Sequence, residues 1–412
     1  PGTEHATWIS ADETWSAADS PHRIPYTLRL TARLTIEPCA VVQLAPEVIV
    51  EVGTSTEPGE LVAVGTDGGE LRPVRFEADG APWAQIVVQP AGYAELRLAA
   101  LSGGGGTVSG APGALLLNGP AGGTNLGDVV VQAVVDRVVV ADTVGVGVNL
   151  AGLAALDGAS GPLWVQGGEV PVQIEPGVGH SLPEGLEITG NAADEILVDP
   201  VKTWQPDDTW SDHGVPYRVR GPLYVGGAED GDTATLALGS GVTVKFEQEA
   251  GSGIVVGNSP ERLGVLRVDG TPARPVTLTS GRPTPAAGDW MGVVYRYFPV
   301  GEASITSARV EYAGGPSGTV GFGCGPGGND SALIIYGQGP EDVGPVGSFV
   351  TGTTFDHIAG TTVIVSGWTD DAGPNLVNDN TFGGDTPECK VSRPQRTGVG
   401  DVCDGGRDVC WQ

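Results

Sequence analysis

The sequence predicts an all-β protein made of short strands, and three observations support this prediction. The chain of 412 residues contains 67 glycines and 32 prolines, yet 40% of its residues are hydrophobic, so it can bury a core between frequent turns. Strand-like runs rich in valine and leucine recur about every 8 to 12 residues, each bounded by Gly, Pro or Asp. No long stretch has the periodicity of an amphipathic helix.

The sequence also contains a long internal repeat, because similar motifs lie about 200 residues apart. The motif DETWS at 12–16 returns as DDTWS at 207–211, and a strand-like run beginning near Pro-Tyr follows each copy. We expect two self-similar structural units that superpose, with differences in length confined to the turns. The matched positions are Trp15 and Trp210, Pro25-Tyr26 and Pro216-Tyr217, Gly65 and Gly270, and Trp83 and Trp290.

The predicted strands of the first copy are short runs enriched in β-branched residues. They are residues 27–36, 41–44, 48–52, 61–64, 74–77, 85–88, 94–98, 114–117, 129–135, 138–140, 146–150, 163–165, 170–174 and 195–198. The second copy continues the same pattern as far as Phe382.

Short strands at even spacing are found in sandwiches, propellers and solenoids. A propeller would need self-similarity near 40–50 residues, which the sequence lacks, whereas two tandem sandwiches would explain the long repeat equally well. The local pattern favours a solenoid, because residues 266–268, the turn Asp269-Gly270-Thr271 and residues 276–278 form a strand–turn–strand course. The sequence therefore predicts a right-handed parallel β-helix with rungs of roughly 20–25 residues. Its predicted parts are a first repeat unit (1–200), a second repeat unit (201–385) and a small Cys-rich C-terminal cap (386–412).

The same course is the basis of a family resemblance. Gly270-Thr271, residues 275–278 (PVTL) and residues 290–294 (WMGVV) are similar to the rung pattern of secreted bacterial right-handed β-helix repeat proteins. The resemblance covers about residues 10–385, although Ala84 rather than glycine follows Trp83 in the first copy. It implies the fold, but many proteins of that family have no assigned activity, so it implies no function.

The charge of the chain excludes some classes of partner. Asp and Glu number 50 against 21 Lys and Arg, a net charge of −29. Such a surface repels phosphate backbones and anionic headgroups, so we expect neither nucleic-acid binding nor membrane insertion. Solubility explains the acidity, with divalent-cation binding or a high-salt habitat as the alternative.

The five cysteines predict a tail held by disulfides. Cys389, Cys403 and Cys410 lie close together near the C-terminus without histidines at zinc-ligand spacing, which indicates an oxidising, extracytoplasmic compartment. We expect Cys403–Cys410 and Cys389–Cys324 bonds, and Cys389–Cys403 with Cys410–Cys324 is an almost equal alternative. Reduced, buried cysteines are the competing interpretation. Cys39 lies among strand residues, so we expect it to be buried, with a bond to a neighbouring molecule as the alternative.

Residues that could perform chemistry are sparse, and the common motifs of catalysis and phosphate binding are absent from the sequence. His22 and His213 both lie between the Trp and the Pro-Tyr of their repeats, which favours a structural hydrogen bond over catalysis. The densest cluster of oxygen ligands includes Asp370, Asp371 and Asp379 and is a candidate Ca²⁺ site, with solvated acidic turns as the favoured alternative. No other cofactor is expected.

A group of aromatic residues with an arginine is the other candidate site. Trp290, Arg296 and Phe298 could contact a carbohydrate, since a pyranose ring has an apolar face that stacks on aromatic rings. Strand alternation, however, turns half of such a group toward the core, so core packing is the favoured interpretation.

We therefore expect a non-catalytic, extracellular structural or surface protein, a rigid acidic solenoid that assembles with itself or contacts other surface components. The alternatives are a polysaccharide lyase or hydrolase that uses a groove of the β-helix, and a carbohydrate-binding module. The enzyme would need a convergent acid–base set, and the sequence indicates none.

Overall fold

The computed structural model describes residues 2–106, 110–120, 129–200, 206–248, 251–297, 299–318, 330–335, 347–366, 374, 376–393 and 409–411. In these residues the regular structure is β-strand apart from two short 3₁₀ helices, Ala17–Asp19 and Gly179–Ser181, so the predicted all-β class is confirmed. The chain divides into two compact units. Unit 1 comprises Pro1–Leu197 and His213–Val215, and unit 2 comprises Val198–Asp212 and Pro216–Gln412. The division at 200 and 385 stays a prediction.

The strands are short, as the spacing of the turn residues predicts. In chain order the first twenty are β1 (Thr3–Glu4), β2 (Trp8–Ile9), β3 (Glu13–Trp15), β4 (His22–Ile24), β5 (Leu28–Leu30), β6 (Arg33–Ile36), β7 (Val41–Leu44), β8 (Ile49–Val52), β9 (Gly59–Val64), β10 (Val74–Ala78), β11 (Gln85–Val88), β12 (Gly92–Ser102), β13 (Leu115–Asn118), β14 (Val130–Ala141), β15 (Val146–Ala151), β16 (Ala154–Leu156), β17 (Leu163–Gln166), β18 (Val170–Ile174), β19 (Leu186–Thr189) and β20 (Ile196–Val198).

The strands that follow are of the same kind. They are β21 (Asp208–Trp210), β22 (Tyr217–Val219), β23 (Pro222–Val225), β24 (Thr233–Leu238), β25 (Thr243–Phe246), β26 (Gly253–Val256), β27 (Leu263–Asp269), β28 (Val276–Ser280), β29 (Val293–Tyr295), β30 (Ser304–Thr306), β31 (Ala308–Glu311), β32 (Leu333–Ile335), β33 (Val350–Thr351), β34 (Thr354–Asp356), β35 (Thr362–Ser366), β36 (Thr381–Phe382), β37 (Cys389–Arg393) and β38 (Val409–Trp411).

Most strands of unit 1 pair in parallel with the second or third strand further along the chain. One stack runs β5–β8–β11–β13–β15–β18 and another runs β4–β7–β10–β12–β14–β17–β19. A further stack runs β3–β6–β9–β12–β14–β16, because the long strands β12 and β14 each belong to two stacks. This order is consistent with a parallel solenoid that has three strands per turn.

Unit 2 has the same order of pairing. Its stacks are β21–β24–β27–β30–β33, β22–β25–β28–β31–β34–β36 and β23–β26–β29–β32–β35–β37, all parallel, and β38 adds to β37 in the antiparallel direction. Two tandem antiparallel sandwiches, the alternative that the long repeat left open, do not describe these strands. No helix in the described part of the chain is long and apolar enough to cross a membrane.

The core of each unit consists of columns in which every inward side chain lies on the equivalent side chain of the next rung. One column of unit 1 follows the register between β5 and β18, and all its members are at most 2% exposed; they are Leu28, Val50, Ile86, Leu115, Val148 and Val172. Burial of each such side chain contributes about 1.5–3 kcal/mol, so the columns supply most of the driving force for stacking.

Glycines at one corner confirm that the two units repeat each other. The Gly65 N–H donates to the carbonyl of Arg97, and the Gly270 N–H donates to that of Thr306. The residue after each acceptor has a positive φ, 46° at Leu98 and 50° at Ser307, so the strand bends there in both units. The predicted match of Gly65 with Gly270 is therefore confirmed.

The second pair of tryptophans is confirmed in the same way. Trp83 and Trp290 are buried, and the indole N–H of Trp83 donates to Ser102 O while that of Trp290 donates to Glu311 O, both at 2.8 Å. The carbonyls of Trp83 and Trp290 in turn accept from Gly106 and Gly315. Residues 103–106 of unit 1 thus correspond to residues 312–315 of unit 2.

The first pair of tryptophans also shares one environment. Trp15 is 3% exposed and Trp210 is fully buried. Their indole N–H groups donate to the carboxylate two residues earlier, Glu13 at 3.2 Å and Asp208 at 2.8 Å. The start of each unit is therefore built from the same Asp/Glu-x-Trp arrangement.

The Pro-Tyr match, however, is wrong. Tyr217 stacks on Trp210 with ring centroids 4.7 Å apart, and its hydroxyl donates to Ser211 O at 2.9 Å. The residue that does this in unit 1 is His22, which stacks on Trp15 at 5.0 Å and bonds Ser16 O at 2.8 Å through Nε2. Tyr26 is 68% exposed. Hence His22 corresponds to Tyr217 and not to His213, although its predicted structural role is confirmed.

A second histidine completes this first aromatic cluster of unit 1. The ring of His5 lies 3.8 Å from that of Trp15, and its Nε2 is 2.9 Å from Nδ1 of His22. Because a carbonyl only accepts, Nε2–H of His22 donates to Ser16 O and Nδ1 of the neutral ring accepts from His5. Burial and the neighbouring His22 lower the pKa of His5 below the ordinary 6.5, against an opposing effect of Glu13.

We expect Gly65→Ala and Gly270→Ala to destabilise the protein by similar amounts, about 1–3 kcal/mol each. A Cβ at Gly65 would lie 2.5 Å from Arg72 O, and one at Gly270 would lie 2.2 Å from Ser307 O. Gly68→Ala and Gly347→Ala are the controls, because their Cβ atoms meet nothing within 4 Å. Thermal denaturation measures all four, and an equal effect of variants and controls would refute the shared packing.

A second prediction concerns acid. Since the folded pKa of His5 is lowered, folding favours its neutral form; this stabilisation is present above pH 6.5 and is lost as the pH falls through the folded pKa. We expect His5→Phe, which keeps the stacking on Trp15 but cannot be protonated, to lose less thermal stability than the wild type between pH 7.5 and 5. Equal losses in the two proteins would contradict this role of His5.

Candidate functional site

The structure separates the residues of the predicted carbohydrate contact. Trp290 is 1% exposed and stacks on Phe246 with centroids 4.3 Å apart, so its ring faces are not free for a sugar, and the core-packing alternative is correct for it. Arg296 is exposed, with its guanidinium 5.8 Å from the centroid of the Tyr224 ring. Phe298 lies outside the described residues.

The predicted calcium ligands are only partly described. Asp370 and Asp371 lie outside the described residues, and Asp379 is exposed in the turn before β36. Within the described part of the chain, no three His, Cys, Asp or Glu side chains are grouped as metal ligands. The Ca²⁺ site stays a prediction.

The cysteines give one correction. Cys39 is a free, exposed thiol, which contradicts the expected burial. Its φ of 70° places it in the turn between β6 and β7, where the side chain leaves the core despite the apolar residues on either side. Cys389 is disulfide-bonded, but Cys324, Cys403 and the side chain of Cys410 lie outside the described residues, so the pairing stays a prediction.

A different set of residues in unit 2 forms the candidate site. Four turn segments, at residues 286–291, 312–316, 356–359 and 383–385, stack through backbone hydrogen bonds. Gly288 and Asp289 donate to Tyr312 O, Tyr312 donates to Asp356 O, and Ile358 donates to Asp385 O, at 3.0–3.2 Å. We call this set of turns the unit 2 corner.

A cavity of about 340 Å³ opens at the unit 2 corner. Its walls combine glycine backbone and apolar side chains with an amide and a carboxylate. The lining includes Gln248, Gly288, Asp289, Trp290, Met291 and Pro316. This volume is within the range of small-molecule sites, though at the lower end.

Asp289 is the buried charge of this cavity, and its own loop compensates it. Its carboxylate accepts from the Ser280 hydroxyl at 2.6 Å, the Ala286 N–H at 2.8 Å and the Arg282 guanidinium at 2.9 Å. Burial raises the pKa of Asp289, but these hydrogen bonds and the charge of Arg282 outweigh burial and hold the pKa below its ordinary value. The carboxylate is therefore ionised at neutral pH and fixes the shape of the loop.

In the turns of the unit 2 corner, two rings lie at strained backbone positions. Tyr312 has a φ of 61° and His357 a φ of 52°, which bulky residues rarely adopt, and their rings stack with centroids 4.8 Å apart. The two nitrogens of His357 lie 3.4 Å from carboxylate oxygens of Asp356 and Asp385. Side chains with donors, acceptors and aromatic surface are thus concentrated at this corner.

The same corner of unit 1 lacks these features. Gly103 and Asp142 occupy the positions of Tyr312 and His357, with φ of 70° and 53° and the same backbone hydrogen bond between the turns. The loop before Trp83 covers only residues 79–82, whereas the loop before Trp290 covers residues 281–289 and contributes Asp289. Strand stacking alone therefore requires neither the longer loop nor the two rings.

Sequence reasoning did not find the unit 2 corner. The available signal was the spacing of the repeat, because Pro73 and Pro275 match with a smaller offset than Trp83 and Trp290 do. The difference places an insertion in residues 281–289, and insertions in surface loops often carry function.

Comparison of the chain with protein-family models, with curated proteins and with solved structures gives no match. The resemblance to secreted β-helix repeat proteins therefore rests on the rung pattern of the sequence and on the parallel strand stacks.

We expect Tyr312→Gly to change the free energy of unfolding by less than about 1 kcal/mol, because glycine adopts the positive φ without strain while the ring stacking is lost. Tyr312→Val should cost about 2 kcal/mol, since a β-branched residue is strained at that φ. Arg309→Val, at an exposed strand position of ordinary φ, is the control and should cost under about 0.5 kcal/mol. Chemical denaturation compares the three, and equal costs for valine and glycine at 312 would contradict the strain.

Proposed function

We propose that the protein is a non-catalytic, extracellular structural or surface protein, a right-handed parallel β-helix built from two long repeat units. The parallel pairing of most strands with the second or third strand onward supports the β-helix. Its right-handedness is supported by the general rule that about 98% of parallel crossover connections have that hand. A Cys-rich cap at residues 386–412 completes the proposed architecture.

The observation that most supports a structural role is the way outward ionisable residues are used on the sheet faces. Neighbouring rungs are joined by ion pairs, such as Arg29–Glu51 at 2.7 Å and Arg97–Asp136 at 3.5 Å in unit 1. Exposed pairs of this kind add only about 0–1 kcal/mol each to the stability of the fold. Their main effect is to favour the observed register between neighbouring rungs. Some of the charged side chains on these faces therefore connect one rung to the next.

In the proposed role the net charge of −29 keeps the rigid surface soluble and limits non-specific contact. The partners are other copies of the chain or other surface components. The exposed Cys39 thiol is compatible with the alternative of a bond to a neighbouring molecule.

The extracytoplasmic location predicts a definite pattern of thiols. We expect N-ethylmaleimide to label Cys39 in the native protein and to leave Cys324, Cys389, Cys403 and Cys410 unlabelled until reduction. Peptide mapping under non-reducing conditions locates the labels and the bonds. Free thiols at the four other cysteines would refute both the disulfide-bonded tail and the oxidising compartment.

The enzyme alternative makes a different prediction. Two carboxylates in register on neighbouring strands, Glu311 on β31 and Asp356 on β34, are the acid–base pair that a glycosidase of this fold could use. Under our proposal the protein releases no reducing ends or unsaturated products from neutral and acidic polysaccharides. Release that Glu311→Gln or Asp356→Asn abolishes would establish the enzyme instead.

A further inference from the structure

We propose that the cavity of the unit 2 corner binds a neutral saccharide, as a recognition site on the scaffold. Two departures from the internal repeat coincide there: a longer loop before Trp290, and two aromatic side chains where unit 1 has Gly103 and Asp142. Because unit 1 stacks its rungs without either, the stacking of the rungs requires neither the longer loop nor the two rings.

The walls of the cavity are fixed before any ligand arrives. Gly288 donates its N–H to Tyr312 O and Ala313 O, and Gly315 donates to Trp290 O at 2.9 Å. A Cβ on Gly315 would lie 2.3 Å from Gly288 O, so the two backbones are in direct contact. Pro316 is held by the next residue, whose N–H donates to Asp330 at 2.9 Å. A site of this kind loses little entropy when it binds.

The chemistry of the lining selects the class of ligand. Pro316 is exposed and offers apolar surface, with Met291 and Trp290 almost fully buried in the wall, while the exposed Gln248 amide and peptide groups offer donors and acceptors. A pyranose has a matching apolar face and a hydroxyl edge. The Asp289 carboxylate is paired with Arg282, so it offers no uncompensated charge to a cation, and the net charge of −29 on the chain disfavours an anionic ligand.

Titration of the full-length chain with cellohexaose, xylohexaose and maltohexaose tests this proposal, with hexagalacturonate as the anionic comparison. Isothermal titration calorimetry should show saturable binding of at least one neutral hexamer, with a Kd of about 10 μM to 1 mM, and none of hexagalacturonate. Failure of all three neutral hexamers, or binding of the anionic one alone, overturns the proposal. Neither result affects the proposed structural role, which requires no ligand.

Two variants locate the site. Gln248→Trp and Pro316→Trp each place an indole at a lining position of the cavity that is exposed in the wild type, and each should weaken binding at least tenfold without a change in melting temperature. Pro46→Trp is the control, because Pro46 is exposed and lies at the same distance after β7 as Gln248 after β25. Unchanged affinity in both mouth variants, or an equal loss in the control, means that the saccharide binds elsewhere and overturns the assignment.

Discussion

The structure depends on one constraint, the parallel register in which each rung hydrogen-bonds to the next. Once Leu28 is paired with Val50 and Val50 with Ile86, every inward position has a neighbour of the same kind above and below it. An inward residue must then suit two rungs at once. The constraint explains why the columns are filled by valine, leucine and isoleucine. It also explains why the turns at the ends of strands favour glycine, which has no side chain to obstruct the turn.

The same constraint leaves the turns free to vary. Lengthening a flexible loop costs little entropy, about 0.6 kcal/mol for each doubling, whereas an extra residue in a strand would break the register of the rungs on both sides. Residues 79–82 and 281–289 illustrate this freedom, because the strands before and after them keep the same partners in both units. New chemistry on such a scaffold is therefore expected at the corners.

The sequence was sufficient for the fold class and for the anchors of the repeat, since Trp15, Gly65 and Trp83 meet geometric requirements that only these residue types satisfy well. The match predicted from the Pro-Tyr motif was wrong. The position needs a flat ring that stacks on tryptophan and donates to a carbonyl, and both His22 and Tyr217 do so. Comparison of residue identities alone instead aligns the two identical Pro-Tyr pairs. Cys39 was misjudged for a related reason, because apolar neighbours do not reveal a positive φ.

The candidate site could not be predicted from residue types, because the residues that form it are individually ordinary. Tyr312 and His357 are distinguished only by their backbone, and strain of about 1–3 kcal/mol at such positions persists when the surroundings fix it. Gly103 shows that the corner closes without a ring, so stacking of the rungs does not account for the strain at Tyr312. The rings contact each other instead, and the partly exposed surface that they present at the unit 2 corner is available to a ligand.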